Sequence, residues 1–320
     1  MSVRNLPATI IVDHPMNKPL AIALLSITLI ASATNAEPPE TIRPALVVSA
    51  MPQEIRDQFA LKDFYQQCLV VGGMPIVASN KVHPSAISEA AIIVSSMLKK
   101  RPDILRQLAA NRIRLTVMAT SERTCDVPEH ADLTPKDYWN RRARGLGATR
   151  ARPSVSCGEE NVLNLNGDPY DAESILIHEF AHAIHLMALR DLDDGFQAKL
   201  DRCYQSAIQN GRWKETYAIS NDREYWAEGV QSWFDCNREN DSVHNHVNTR
   251  DELKQHDPEL YALVQSTFID QSYRYLRSDA PQRKQEPHLK NLNRQTMPSF
   301  RWERQEKQAT KEPTSPAAAN

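Results

Sequence analysis

The chain has 320 residues, of which 41% are hydrophobic and 24% are charged, and its formal net charge is −2. These values are ordinary for a globular protein. The near-neutral charge argues against a nucleic-acid-binding surface as the main feature of the fold, so no nucleic-acid partner is expected.

The first 36 residues have the features of a secretory signal peptide. A short basic start at Met16 precedes an apolar stretch at residues 19–30 and small residues up to Ala36. The stretch is too short for a comfortable membrane span, which needs about 20 residues. We therefore expect a signal peptide at 1–36, with Met16 as an alternative start. The mature chain is expected to be secreted or periplasmic, without stable insertion into a membrane.

Hydrophobic periodicity predicts a β-α-α-β unit after this segment. A long surface loop is expected at residues 120–152, where Gly145 and Gly147 indicate either a plain turn or a close approach of the backbone to a substrate. The elements predicted before the loop are a helix at 53–68, a strand at 74–79, helices at 85–98 and 102–110, and a strand at 114–119.

The second half of the chain reads as mostly helical. A polar loop is expected at 237–248, where His244 and His246 are interpreted as loop residues. Residues 279–320 are rich in Gln, Lys, Arg, Glu and Pro, which predicts a disordered polar tail after a domain spanning 37–278. The elements predicted in between are a strand at 155–165, broken at Gly158, helices at 172–189, 196–209 and 221–234, a capping box of Thr249 with Glu252, and a helix that begins at Asp257-Pro258 and runs to Phe268.

Residues 178–182 read His-Glu-Phe-Ala-His inside the apolar helix predicted at 172–189. Residues four apart stand on one face of a helix, so His178 and His182 can present two imidazoles to one zinc ion. Glu179 then lies beside the open position of the metal, where a carboxylate can take a proton from zinc-bound water. This spacing predicts a zinc site with a catalytic base.

A third protein ligand is needed. The extended motif that supplies a third His fails here, because its Gly and His positions hold His185 and Ala188. Glu224 is the best candidate, on a helix whose apolar stripe is buried, although a capping-box-like start with Asn221 is the alternative. Glu228, four residues later, could accept the second ring N–H of a ligand His, or could be a surface carboxylate.

The chain resembles the catalytic domain of anthrax lethal factor and its relatives, a branch of the gluzincin zinc peptidases. The resemblance lies in the motif from His178 to His182, in Tyr217 and in the segment Glu224-Tyr-Trp-Ala-Glu228. The resemblance covers residues 151–268, and secreted bacterial and fungal proteins share the run after Glu224. It implies that Glu224 is the third zinc ligand and that Tyr217 points into the site and assists catalysis. It also implies that the strand at 155–165 borders the cleft and pairs with an extended substrate.

These observations lead us to expect an α+β, zincin-like domain with a small mixed sheet, an active-site helix and a mostly helical C-terminal half. The expected activity is that of a secreted peptidase with one zinc ion per chain, acting on a peptide or protein by Glu-assisted attack of zinc-bound water. A non-catalytic zinc-containing binding protein and a zinc hydrolase of a non-protein amide remain the alternatives. The sequence leaves the substrate and the oligomeric state open.

Export would place the five cysteines in an oxidising compartment, where one or two disulfides are expected. They have no paired C-x-x-C spacing, so a zinc knuckle is excluded. They are Cys68, Cys125, Cys157, Cys203 and Cys236.

Overall fold

The computed structural model describes residues 46–269 and 271–302. The described residues form an α+β structure with one six-stranded mixed sheet, which confirms the predicted α+β class and the mixed sheet. The strands are Ser49–Ala50 (β1), Gln67–Val71 (β2), Met74–Ala78 (β3), Arg114–Met118 (β4), Gly145–Leu146 (β5) and Ser154–Gly158 (β6).

The strands lie in the order β1-β2-β3-β4-β6-β5. The centre of the sheet is parallel, since β4 pairs in parallel with both β3 and β6. Both edges are antiparallel, because β1 and β2 form a meander with β3, and β5 runs against β6. As a result, β6 is an interior strand and β5 is an edge strand.

Between β6 and Phe268 the described residues are mostly helical, as the sequence predicts. Several bounds differ: the helix predicted at 53–68 ends at Phe59, and the loop predicted at 120–152 contains a short helix and β5. The helices are Gln53–Phe59 (α1), Pro84–Met97 (α2), Pro102–Ala110 (α3), Lys136–Arg142 (α4), Glu159–Val162 (α5), Ile175–Ile184 (α6), Arg190–Leu192 (α7), Phe196–Gln209 (α8), Asp222–Trp233 (α9), Arg250–His256 (α10) and Pro258–Phe268 (α11).

One large core joins the sheet to the helices. Helices α2, α3 and α6 bury apolar side chains against it, and α9 and α11 extend the same core on the far side of α6. A smaller cluster around Phe59, Tyr65 and Val77 forms a separate apolar group. Helix α6 therefore lies between the sheet and the helical half of the domain.

Residues 279–302 do not form the predicted polar tail. Arg283 makes a bidentate ion pair with Glu89, whose side chain is fully buried, and His288 Nε2 lies 2.7 Å from the same carboxylate. Leu289 and Phe300 are buried as well. The prediction is wrong here because the charged side chains find buried partners on other elements, which composition does not reveal. We call residues 279–302 the C-terminal strap.

Three further expectations can be compared with the described residues. The five cysteines lie within the described ranges and all are free, so the expected disulfides are not formed among them. The predicted signal peptide at 1–36 and the end of the predicted tail, residues 303–320, lie outside the described residues. Within the described ranges, every helix is too short or too polar to cross a membrane.

The ion pair between Arg283 and Glu89 predicts that a variant without Arg283 is much less stable. The Arg283→Ala variant leaves Glu89 buried without its bidentate partner, so we expect the free energy of unfolding to fall by about 3–5 kcal/mol. Arg277→Ala is the control, since its ion pair with Asp279 is 43% and 36% exposed and contributes about 0–1 kcal/mol. Urea unfolding measures both. Equal small losses in the two variants would contradict an ordered strap.

Candidate metal centre

Three side chains from two helices meet at one point. The Nε2 atoms of His178 and His182 are 3.2 Å apart, and Glu224 Oε2 lies 3.1 Å from the first and 3.3 Å from the second. Helix α6 carries both histidines one turn apart, and α9 carries the glutamate. The structure thus brings together the three residues that the sequence predicts as metal ligands.

The starts of the two helices explain how these side chains are aimed. The Ser174 side chain accepts the N–H of Ile177 at the start of α6. At the start of α9, Asn221 Oδ1 accepts the N–H groups of Arg223 and Glu224. The cap is therefore made by Asn221, while the Glu224 carboxylate turns towards the histidines. The capping box with Glu224, the alternative interpretation, is therefore not formed, and Asn221 caps the helix by itself.

The shape of the cluster fits a tetrahedral zinc ion. Bonds of about 2.0–2.1 Å to zinc place neighbouring tetrahedral ligands about 3.3–3.4 Å apart. The three donor-to-donor distances are 3.1, 3.2 and 3.3 Å, close to this value. Two imidazole nitrogens and one carboxylate oxygen are also the donor set of one type of catalytic zinc site, with the fourth position left for water.

Electrostatics already holds the donors together. Burial lowers the pKa of His178, but its hydrogen bond with Glu224 and the surrounding carboxylates outweigh this and raise the pKa to about 10. Burial raises the pKa of Glu224, and the two histidines outweigh it and hold the pKa well below its usual range. A bound dication would replace the imidazole proton as the positive charge among these groups.

Glu179 lies on the same helix beside the donors, with the polypeptide after β5 across from it. A Cβ built on Gly147 would lie 3.4 Å from Glu179 Oε2 and 2.9 Å from His182 Cβ. Burial raises the pKa of Glu179, against the lowering effect of the neighbouring histidines. A carboxyl group with a raised pKa next to a metal position is suited to accepting and returning a proton.

Tyr217 lies over the cluster from the loop before α9. Its ring centroid is 6.3 Å from that of His178, and 37% of the residue is exposed. Burial and the negative charge of Glu224 raise the pKa of the phenol, so it keeps its proton and can donate a hydrogen bond. The backbone N–H of Tyr217 donates to the carbonyl of Val243 at 2.6 Å, which ties it to the loop at 237–248.

The partner of His178 differs from the one predicted. His178 Nδ1 is 2.7 Å from Gln231 Oε1, whereas Glu228 Oε1 is 3.7 Å away, beyond hydrogen-bond distance. The amide nitrogen of Gln231 donates to Glu173, which fixes its oxygen towards the imidazole. Gln231 therefore keeps the proton on Nδ1 and directs Nε2 at the metal position. The sequence feature that could have identified Gln231 is its position, seven residues after Glu224 and therefore on the same helix face.

Glu228 has a different set of neighbours. It accepts a hydrogen bond from Asn237 Nδ2 at 2.9 Å, and His244 Nε2 lies 3.6 Å from the same carboxylate oxygen. His244 in turn is 2.9 Å from Asp241. The polar loop at 237–248 thus supplies the contacts of Glu228. His185, one turn beyond His182, points away from the cluster and bonds Gln197.

The strand beside Glu179 is β5, whereas the resemblance implied the strand at 155–165, which contains most of β6. Strand β6 is fully buried and pairs on both sides at Ser156 and Cys157, so its backbone is not free for a substrate there. Strand β5 pairs on one side only and contacts α6, because a Cβ on Gly145 would lie 3.0 Å from Glu179 Cγ. Because Gly145 and Gly147 have no side chain, they allow the edge strand β5 to approach helix α6 closely.

A second group of possible metal donors lies under the C-terminal strap. It consists of Glu89, Glu286 and His288. The guanidinium of Arg283 contacts both carboxylates, at 2.6 Å and 2.7 Å, and so occupies the centre of the group. A cation is already present there as a side chain, and the group is an ion-pair cluster.

Comparison with known proteins shows no family for this chain. No family model and no curated protein matches the chain. One solved structure with some similarity is the Pro-Pro endopeptidase PPEP-2 from Paenibacillus alvei, at 18% identity and a TM-score of 0.34, over 61% of this chain and 96% of that one. Similarity of this extent does not establish a shared fold or function, and the interpretation below depends on the geometry of the site.

The bond between Gln231 and His178 predicts a loss of metal affinity. We expect Gln231→Leu to weaken zinc binding by about 10–100-fold, since the imidazole loses the group that fixes its tautomer. Gln197→Leu is a matched control, because it removes the same kind of bond from His185, which is outside the cluster. Competition with a chromogenic chelator measures both. Wild-type affinity in Gln231→Leu would contradict the orienting role.

The bond between α9 and α6 gives a second prediction. Trp226 Nε1 donates to the Ala181 carbonyl at 2.9 Å, and both residues are fully buried. Trp226→Phe should lower the free energy of unfolding by about 1–3 kcal/mol and also weaken zinc binding, because it loosens the register of the two helices. Trp213→Phe removes a comparable bond, to Asp257 at 3.0 Å, and should lower stability alone. Equal zinc affinities in the two variants would refute this.

Proposed function

We propose that this chain is a zinc-dependent peptidase of the gluzincin type on a zincin-like domain. The observation that carries the proposal is the triangle of His178, His182 and Glu224, whose sides of 3.1–3.3 Å match tetrahedral zinc. Glu179 and Tyr217 beside the triangle supply groups that a binding protein does not need. This favours catalysis over a purely structural or binding role.

When bound, a zinc ion activates a water molecule and polarises a carbonyl group. His178, His182 and Glu224 would hold it, with Gln231 directing His178. Glu179 accepts the proton of the attacking water and then delivers it to the leaving amine. The phenol of Tyr217 donates a hydrogen bond to the oxyanion that forms on the carbonyl.

The substrate would be a peptide or protein segment in extended form. The free edge of β5 offers backbone N–H and C=O groups next to Glu179, and an extended chain can add to such an edge as a further strand. Secretion or a periplasmic location is proposed from residues 16–36 alone, whose apolar stretch and small residues are typical of a signal peptide.

The test is the Glu179→Gln variant of the mature chain that includes the C-terminal strap. We expect one zinc ion per chain in both proteins, and a loss of peptide hydrolysis of about 10²–10⁴-fold in the variant, because the amide cannot accept the proton. Metal analysis and a quenched fluorescent peptide library measure the two properties.

Glu54→Gln, at an exposed glutamate of α1, controls for the substitution itself and should keep full activity. Full activity in Glu179→Gln would refute the role of Glu179. Zinc without cleavage in the wild type would favour a non-protein amide substrate or a binding role. Absence of zinc from the wild type would refute the metal site.

A further inference from the structure

Strand β5 has little to hold it in place. It is two residues long and, among the described residues, pairs only with β6, through Gly145 and Leu146. An isolated pairing of this length has little stability of its own. Yet the strand lies against the metal helix, and the residue after it, Gly147, is packed against His182. The position of β5 therefore determines how closely the backbone approaches Glu179 and His182.

The anchor of β5 is Arg144, the residue directly before it. Its side chain is 1% exposed and makes a bidentate ion pair with Glu160 at 2.6 Å and 2.9 Å. The same guanidinium donates to the carbonyls of Glu122 and Ala119. Gly158 is required here, because a Cβ at this position would collide with the Glu160 carboxylate. Arg144 thus fixes the start of β5 to the interior of the domain.

The face of this guanidinium is covered by the C-terminal strap. The guanidinium carbon of Arg144 is 4.3 Å from the centroid of the Phe300 ring, and Phe300 is 2% exposed. A second cation, Arg123, lies 5.2 Å from the same ring. Cation–π attraction is stronger when water is excluded, so Phe300 stabilises the buried charge in the position that it occupies. The rest of the strap is fastened independently, at Glu89 through Arg283.

We infer that Phe300 is a positioning residue for the cleft: through Arg144 it holds β5 against the metal helix, so the C-terminal strap is part of the substrate-binding machinery. The Phe300 ring contacts Arg144, Arg123 and Trp302, none of which is a metal donor. Its effect should therefore appear in substrate binding and leave metal binding unchanged. This inference rests on the proposed function, in which β5 receives the substrate.

The activity test compares Phe300→Ala, Phe300→Leu and Leu289→Ala in the full mature chain. Both Phe300 variants should retain one zinc ion per chain, and KM for a cleaved peptide should rise roughly tenfold while kcat changes little. Phe300→Leu keeps an apolar side chain and removes only the ring face. Leu289→Ala loosens the same strap at a buried position of the large hydrophobic core, so KM should stay at the wild-type value.

Hydrogen exchange gives a readout that does not require activity. Amides at residues 143–148 should exchange faster in Phe300→Ala than in the wild type or in Leu289→Ala. Unchanged exchange there, an unchanged KM in the Phe300 variants, or an equal rise in KM for Leu289→Ala would each overturn the inference. A wild-type protein without zinc or cleavage would refute the proposed function, and hydrogen exchange would still decide whether Phe300 positions β5.

Discussion

The site depends on how helix α9 is packed against helix α6. The two histidines come from one helix and the carboxylate from the other, so a small slide between them would separate the donors. The indole N–H of Trp226 prevents this by bonding the carbonyl of Ala181, one residue before His182. Because Trp226 is two residues from Glu224 on α9, one buried bond sets the register of both sides of the triangle.

The hydrogen bonds of Gln231 also fix the register between α9 and α6. Gln231 connects His178 to Glu173, which lies just before the start of α6, so the C-terminal part of α9 is tied to the N-terminal part of α6. A buried amide that bonds on both sides tolerates little displacement, since a shift would leave a polar group without a partner. The same contacts that orient the imidazole therefore also align the two helices.

The cleft is completed by parts of the chain that are distant in sequence. Tyr217 is held through the carbonyl of Val243, from the loop after α9. The opposite wall is β5, which is held through Arg144 and covered by Phe300 near the end of the described chain. Helix α6 thus forms the floor of the candidate site, whereas both walls depend on contacts made by loops and by the strap.

Much of this protein was determined by the sequence itself. Local periodicity placed His178 and His182 on one helix face and Glu224 on another helix, and most of the regular elements followed from the same rule. Three features could not be predicted in this way. Gln231 rather than Glu228 bonds His178, β5 rather than β6 is the edge strand beside Glu179, and residues 279–302 pack against the domain. Each depends on which distant group satisfies a buried polar atom or an open strand edge. Spacing along a helix shows which residues share a face. Only tertiary packing decides which of them bonds a given distant group, because several residues on that face can form the same hydrogen bond.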